Sequence, residues 1–180
     1  MALRGGVSVS DRIWSALVYA LPIAAIAPYA GAFLQILPDS VQLLVTPVIM
    51  PLLILGGLYA MVVSFIPFGN FIVFLLLFMA VVRNPKFSHF LRYNTMQAMM
   101  IDIMITLVTL VFQAVNLSVE IVGSQRAADP LTAGMLYFFA AVFLVAIAAC
   151  IYSLVHVVQG KYAEIKWVSE ASYAQTRNIY

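Results

Sequence analysis

Charge is scarce in this chain. Only 9% of its 180 residues are Asp, Glu, Lys or Arg, against about 25% in a soluble globular domain. So few charges cannot cover a water-facing surface. The net charge of +2 is too small to draw a polyanion, so no nucleic-acid partner is expected. Cys150 is the only cysteine. It cannot form an internal disulfide, and its place in an apolar run suits a small packing residue. There is no GxxxxGK[ST], HExxH, CxxC or GxSxG motif. A lone intramembrane aspartate is not a hydrolytic centre without a positioned partner. No catalytic residue, metal or cofactor is expected, and the chain is not read as an enzyme. The opening MALRGGVSVSDR has no Arg/Ser-rich transit stretch, and the apolar run after it is too long for a cleaved signal, so a retained N-terminus is expected.

What is abundant is apolar sequence: 64% hydrophobic residues, with a mean hydropathy of +1.04. A spanning helix needs about 20 mostly apolar residues. No charge falls between Ile13 and Leu37, between Ser40 and Val82, or between Pro130 and Gly160, and only Asp102 falls between Tyr93 and Leu117. The second run, 43 residues long, could hold one crossing or two. Charge placement favours one. The patches Arg4–Arg12, Arg83–Arg92, Asn116–Asp129 and Lys161–Tyr180 carry two, three, one and three Lys or Arg. With one net crossing the split between sides is eight to one, and with two it is six to three, so the positive-inside bias selects four spans with both termini on the cytoplasmic side. The expected fold is an all-α integral membrane protein. Its four-helix transmembrane bundle has spans at about 13–37, 66–83, 90–116 and 131–158. An extra bent, non-spanning or re-entrant helix at about 41–63 precedes the second span. An amphipathic tail covers 161–180. Pro47, Pro51, Gly56–Gly57 and the Pro67–Asn70 stretch supply the interruptions.

The connector RNPKFSHFLRYNTMQAMMIDI carries the most information. Asn84 before Pro85 predicts a helix start at Pro85. Arg83, Lys86, His89 and Arg92 recur every third residue there. A cation near a helix N-terminus opposes the dipole, so these groups are candidates for anionic lipid headgroups or a partner, besides setting topology. Deeper in the helix, Asn94, Asp102, Thr106, Thr109 and Gln113 are spaced eight, four, three and four apart, which reads as one face, with Gln97 beside it. A carboxylate near the bilayer middle costs about 2.5–3.5 kcal/mol on insertion scales, so Asp102 is expected to face the bundle interior. The stripe is either a conduit lining or a helix-packing cluster. Ala16, Ala20 and Ala24 on the first helix, and Ala141, Ala146, Ala149, Cys150 and Ser153 on the fourth, mark close-packing seams. Trp14, Tyr19, Tyr162 and Trp167 fit interfacial belts, while Pro22 and Pro28 should kink the first helix.

The stretch from Arg83 to Ile103, the start DRIWSALVYALP and the tail GKYAEIKWVSEASYAQ resemble the Tic-twenty-like proteins, the roughly twenty-kilodalton subunit of the chloroplast inner-envelope import translocon and its cyanobacterial relatives. The matching residues are Arg83, Asn84, Pro85, Ser88, His89, Phe90, Arg92, Asn94, Gln97 and Asp102, then Gly160, Tyr162, Glu164 and Ser169. Lys166 departs from the proline that relatives often carry. The resemblance implies four spans with both termini on the stromal or cytosolic side, in a plastid inner envelope or a cyanobacterial plasma or thylakoid membrane. It also implies a role in moving polypeptides across or into a membrane as a channel component or scaffold. The partners expected are other membrane subunits, anionic lipids, unfolded polypeptide and further copies of the chain. The competing expectation is a non-catalytic accessory or assembly subunit of another membrane complex, for instance a photosynthetic one, binding lipid, or pigment through His89 or His156.

Overall fold

The computed structural model describes residues 7–122, 128–165 and 168–177. Arg4, Arg126, Lys166 and Trp167 lie outside them. Every described element is helical, and four helical segments are long and apolar enough to cross a membrane: Val9–Gln35, Asp39–Ser64, His89–Ala114 and Gly134–Val158.

The first of these is bent, for a local reason. Helix α1 (Val9–Leu17) opens on a reciprocal capping box in which Ser8 accepts from the Asp11 N–H and Asp11 accepts from the Ser8 backbone. Pro22 has no N–H to return to Val18, so the Leu21 N–H takes that carbonyl at 3.2 Å and the helix restarts as α2 (Ala20–Ile26). Pro28 does the same one stretch later. The chain tightens into a 3₁₀ turn at Ala27–Tyr29 before α3 (Ala30–Gln35).

Helix α4 (Asp39–Ser64) carries Pro47 and Pro51 inside it and packs on α2 and α3. Gly56 lets it approach, since a Cβ there would meet Ala27 and the Ala24 backbone. Most of α4 faces outward, including Leu43, Leu44, Val48, Ile54 and Leu58. The chain then bends through Pro67 and Phe68, whose φ of +56° is left-handed and unusual for a bulky residue. Gly69 follows because any Cβ would collide with the Val63 carbonyl. Helix α5 (Gly69–Leu77) runs into a π-helical turn at Phe78–Val82, the Arg83 N–H reaching back to the Phe78 carbonyl at 3.0 Å. The helix expected at about 41–63 is thus α4, and the segment expected to cross at about 66–83 is mostly α5. Gly69–Val82 is shorter than a span, whereas α4 has spanning length.

Helix α6 (His89–Val122) is the axis of the molecule and packs against α1, α2, α7, α8 and the π turn. It starts at His89 rather than at Pro85. Asn84 spends its side chain on the Lys86 N–H, forming a turn, and the Ser88 hydroxyl and carbonyl then accept from Leu91 and Arg92 as the cap. Helix α7 (Ala128–Val158) ends at Gly160, φ +70°, with the Gly160 and Lys161 N–H groups returning to Val157 and His156 in a Schellman arrangement. The tail folds back as α8 (Val168–Arg177) over the start of α6.

Tertiary bonds collect three stretches at one end of the bundle. Ser88 donates to Asp11 at 2.7 Å, Arg12 donates to the Val158 carbonyl at 3.2 Å, and Arg92 bonds both the Val82 and Thr176 carbonyls. Toward the other end Tyr29 meets Thr109 and Phe139. The core between them is Tyr19, Ile26, Ala98, Ile101, Ile105, Phe143, Ala146 and Cys150. The two alanine seams are therefore used, Ala24 against Gly56 and Ala146 with Cys150 in the core. Tyr19 is a core residue and not a belt residue, because its hydroxyl finds Asn94 inside the bundle.

Candidate functional site

The polar residues of α6 divide into two groups. At 3.6 residues per turn, Asn94 stands about 80° around the helix from Asp102, while Asp102, Thr106, Thr109 and Gln113 stay within about 60° of one another. Burial divides the stripe. Asn94 and Gln97 are fully buried. Asn94 accepts from the Tyr19 hydroxyl at 3.3 Å and donates to the Phe90 carbonyl at 2.8 Å, and Gln97 donates to the Ser153 hydroxyl at 3.2 Å. The Gln97 Oε1 has no hydrogen-bond partner among the described residues. This half of the stripe is a helix-packing cluster, joined by Thr95, which bonds the Leu91 carbonyl.

The other half lines a groove on the flank of the bundle. Asp102, Thr106, Thr109 and Gln113 form one wall, Leu21, Ala24 and Pro28 of the first span another, and Tyr59, Ser64 and Asn70 beside the α4–α5 bend a third. Its volume is about 720 Å³. Asp102 is half-buried, whereas Thr106 and Gln113 are exposed to the groove. Asp102 has no hydrogen-bond partner among the described residues, in contrast to Thr109, which bonds Tyr29 and the Ile105 carbonyl, and to Tyr59, which donates to Asn70 at 3.2 Å. Asp102 opens on this groove. The bend at Pro67–Gly69 borders the groove, with Phe68, Gly69 and Asn70 in its lining. The sequence marked those residues as breakers but not what the break exposes.

The basic connector is also divided. Arg83 and Lys86 are exposed. His89 is half-buried, one ring nitrogen 3.0 Å from the Tyr162 hydroxyl and the other 3.5 Å from the Thr176 hydroxyl. Arg92 is 1% exposed and donates to the carbonyls of Val82 at 2.8 Å and Thr176 at 3.0 Å. Expected as part of one surface for lipid or partner, His89 and Arg92 instead hold the tail, because α8 covers them. Tyr93, donating to the Ala163 carbonyl at 3.0 Å, and the rings of Phe90, Tyr162 and Tyr173 complete that contact. His156 stands apart on α7, bonded to the Tyr152 carbonyl at 2.8 Å. Among the described residues no group of three His, Cys, Asp or Glu is placed to hold a metal.

A feature that the sequence did not signal is an apolar cleft of about 360 Å³ between α6 and α7, lined by Ile101, Met104, Val145 and Ala149 and roofed by Ile165 and Val168. The contact of Asp11 with Ser88 was likewise unforeseen, although the Ser8-x-x-Asp11 capping box is legible.

Fold and sites together define a multi-pass helical membrane protein with a groove on its flank that holds one carboxylate and a tail-capped basic end. Residues 10–172 match the family described as chloroplast import apparatus Tic20-like, and the chain belongs to that family. A Tic20 family protein of Synechocystis is 39% identical over 177 residues, which is 98% of this chain and 99% of the relative. The chloroplastic protein TIC 20-II of Arabidopsis thaliana is 30% identical over 172 residues, covering 92% of this chain and 72% of that one. The chloroplastic TIC 20-v of the same plant is 34% identical over 112 residues, 61% of this chain and 48% of its own length.

Proposed function

We propose that this protein helps polypeptides cross or enter a membrane, and that the Asp102 groove is the path it offers them. The observation that carries the reading is a groove on the flank of a bundle built from membrane-length helices, with polar side chains, Asp102 among them, set into mostly apolar walls. An unfolded segment cannot rest against hydrocarbon, because each unsatisfied backbone N–H or C=O costs several kcal/mol there. Side chains from two of the three walls, Thr106 and Gln113 on α6 and Ser64 and Asn70 beside the α4–α5 bend, supply partners for those groups, and the volume admits water beside them. One four-span unit encloses no polypeptide, so the groove acts as half a conduit that a partner subunit or second copy completes. The outward apolar face of α4 is the surface available for that contact.

The topology that goes with this reading has four net crossings, with residues 8–12, 83–92 and 158–176 on the cytosolic or stromal side. Support comes from their gathering at one end of the bundle and from the eight-to-one Lys and Arg split. In this arrangement α4 and α5 share one crossing, broken at Phe68. The pigment-binding alternative loses support at His89, both of whose nitrogens already face protein hydroxyls.

Photo-crosslinking of a polypeptide arrested in transit tests the proposal. Probes replacing Thr106 and Gln113 should capture the substrate, and probes replacing Ile151 and Val155 on the outer surface of α7 should not. Capture from neither groove position while the substrate still crosses would remove the groove from the path.

A further inference from the structure

We infer that Asp102 makes the groove selective, favouring polypeptide segments that carry a lysine or arginine side chain. The inference rests on the groove being the substrate path. Three observations carry it. Asp102 is the sole acidic residue between Asp39 and Glu120, and among the described residues no Lys, Arg or His lines the groove to balance a carboxylate. Asp102 has no hydrogen-bond partner among the described residues, although Tyr59, Asn70 and Thr109 around it are all bonded. The groove is also wide enough to bring a second side chain beside it, at about 720 Å³.

Low-dielectric walls on either side strengthen any charge pair formed there relative to the same pair in water. A passing ammonium or guanidinium would thus meet a fixed counter-ion at the depth where its own desolvation cost is greatest. A passing carboxylate would meet a like charge and be held back. The other polar side chains of the groove, Tyr59, Ser64, Asn70, Thr106, Thr109 and Gln113, are uncharged and serve either kind of segment. Asp102 therefore sets preference without being needed for entry.

The test uses the full-length protein in proteoliposomes, with a crosslinker replacing Thr106 and three arrested substrates. These differ only in a triplet aligned with the groove: three lysines, three glutamines or three glutamates. The expected wild-type order is lysine above glutamine above glutamate, with about tenfold between the extremes, the ratio given by about 1.4 kcal/mol. Asp102→Asn keeps size and hydrogen bonding, removes the charge, and should bring the three within about twofold of one another. Asp102→Lys should reverse the order. A lysine preference that survives Asp102→Asn overturns the inference and leaves the groove as the path. Failure to capture even the glutamine substrate overturns the path itself.

Discussion

Arg92 donates to the main-chain carbonyl of Thr176 at 3.0 Å, joining the head of the central helix to the last helix through a buried cation. Its second bond, to the Val82 carbonyl, uses an acceptor at the end of the π-helical turn. One guanidinium thereby fastens α5, α6 and α8 at a single point, and three consequences of this packing can be measured, with a fourth at the groove.

Arg92→Gln should release the tail. It leaves two carbonyls without their donor, each costing about 1–3 kcal/mol if buried and unmet. Limited trypsin digestion should then cut at Lys161 much faster than in the wild type. Arg83→Gln and Lys86→Gln, both exposed, should change stability by no more than about 0.5 kcal/mol. Unchanged protection of the tail in Arg92→Gln would show that the aromatic contacts hold it alone.

Glycine positions should separate by the space around them. Gly56→Ala and Gly69→Ala place a Cβ against Ala27 and the Val63 carbonyl and should cost about 1–3 kcal/mol as overpacking. Gly57→Ala meets open space in the same helix and should be neutral or stabilising by up to about 1 kcal/mol. Thermal unfolding in detergent would rank the three, and equal midpoints would contradict the close approach of α4 to α2.

Sidedness is accessible by cysteine labelling in a Cys150→Ala background. Cysteines at Ser10, Lys86 and Glu170 should react from one face of sealed vesicles, and one at Ser124 from the other. Reaction of Ser10 from the same face as Ser124 would mean five crossings.

Water in the groove is measurable with a charged thiol reagent, which needs the thiolate form of cysteine. Cysteines at Thr106 and Gln113 should react more than about tenfold faster than cysteines at Ile151 and Val155, which face outward from α7. Equal rates would mean a dry groove.

The fold class was readable because charge is so sparse that its few positions mark the ends of spans. The same sparseness left 40–82 undivided, since 43 residues without a charge give no boundary to anchor. The start of α6 was placed at Pro85 by local preference, but Asn84 satisfies the turn before it and Ser88 makes the cap. Arg92 resembled a headgroup cation because its partner lies 84 residues away. The polar stripe was visible, yet its division was not, because the 80° between Asn94 and Asp102 matters only once α2 and the α4–α5 bend occupy particular sides of the helix.

The bond between Asp11 and Ser88 sets an order of assembly. These partners are 77 residues apart, so at about 5–20 residues per second the first helix waits about 4–15 s after synthesis for its fixed neighbour. Arg12 waits longer, for a carbonyl 146 residues on, and Arg92 for one near the end of α8. During biogenesis the bundle thus stays unlatched while most of it is already in the membrane. A chain that stops before α8 keeps the Arg92 bond to Val82 but leaves the rest of that guanidinium without its Thr176 acceptor.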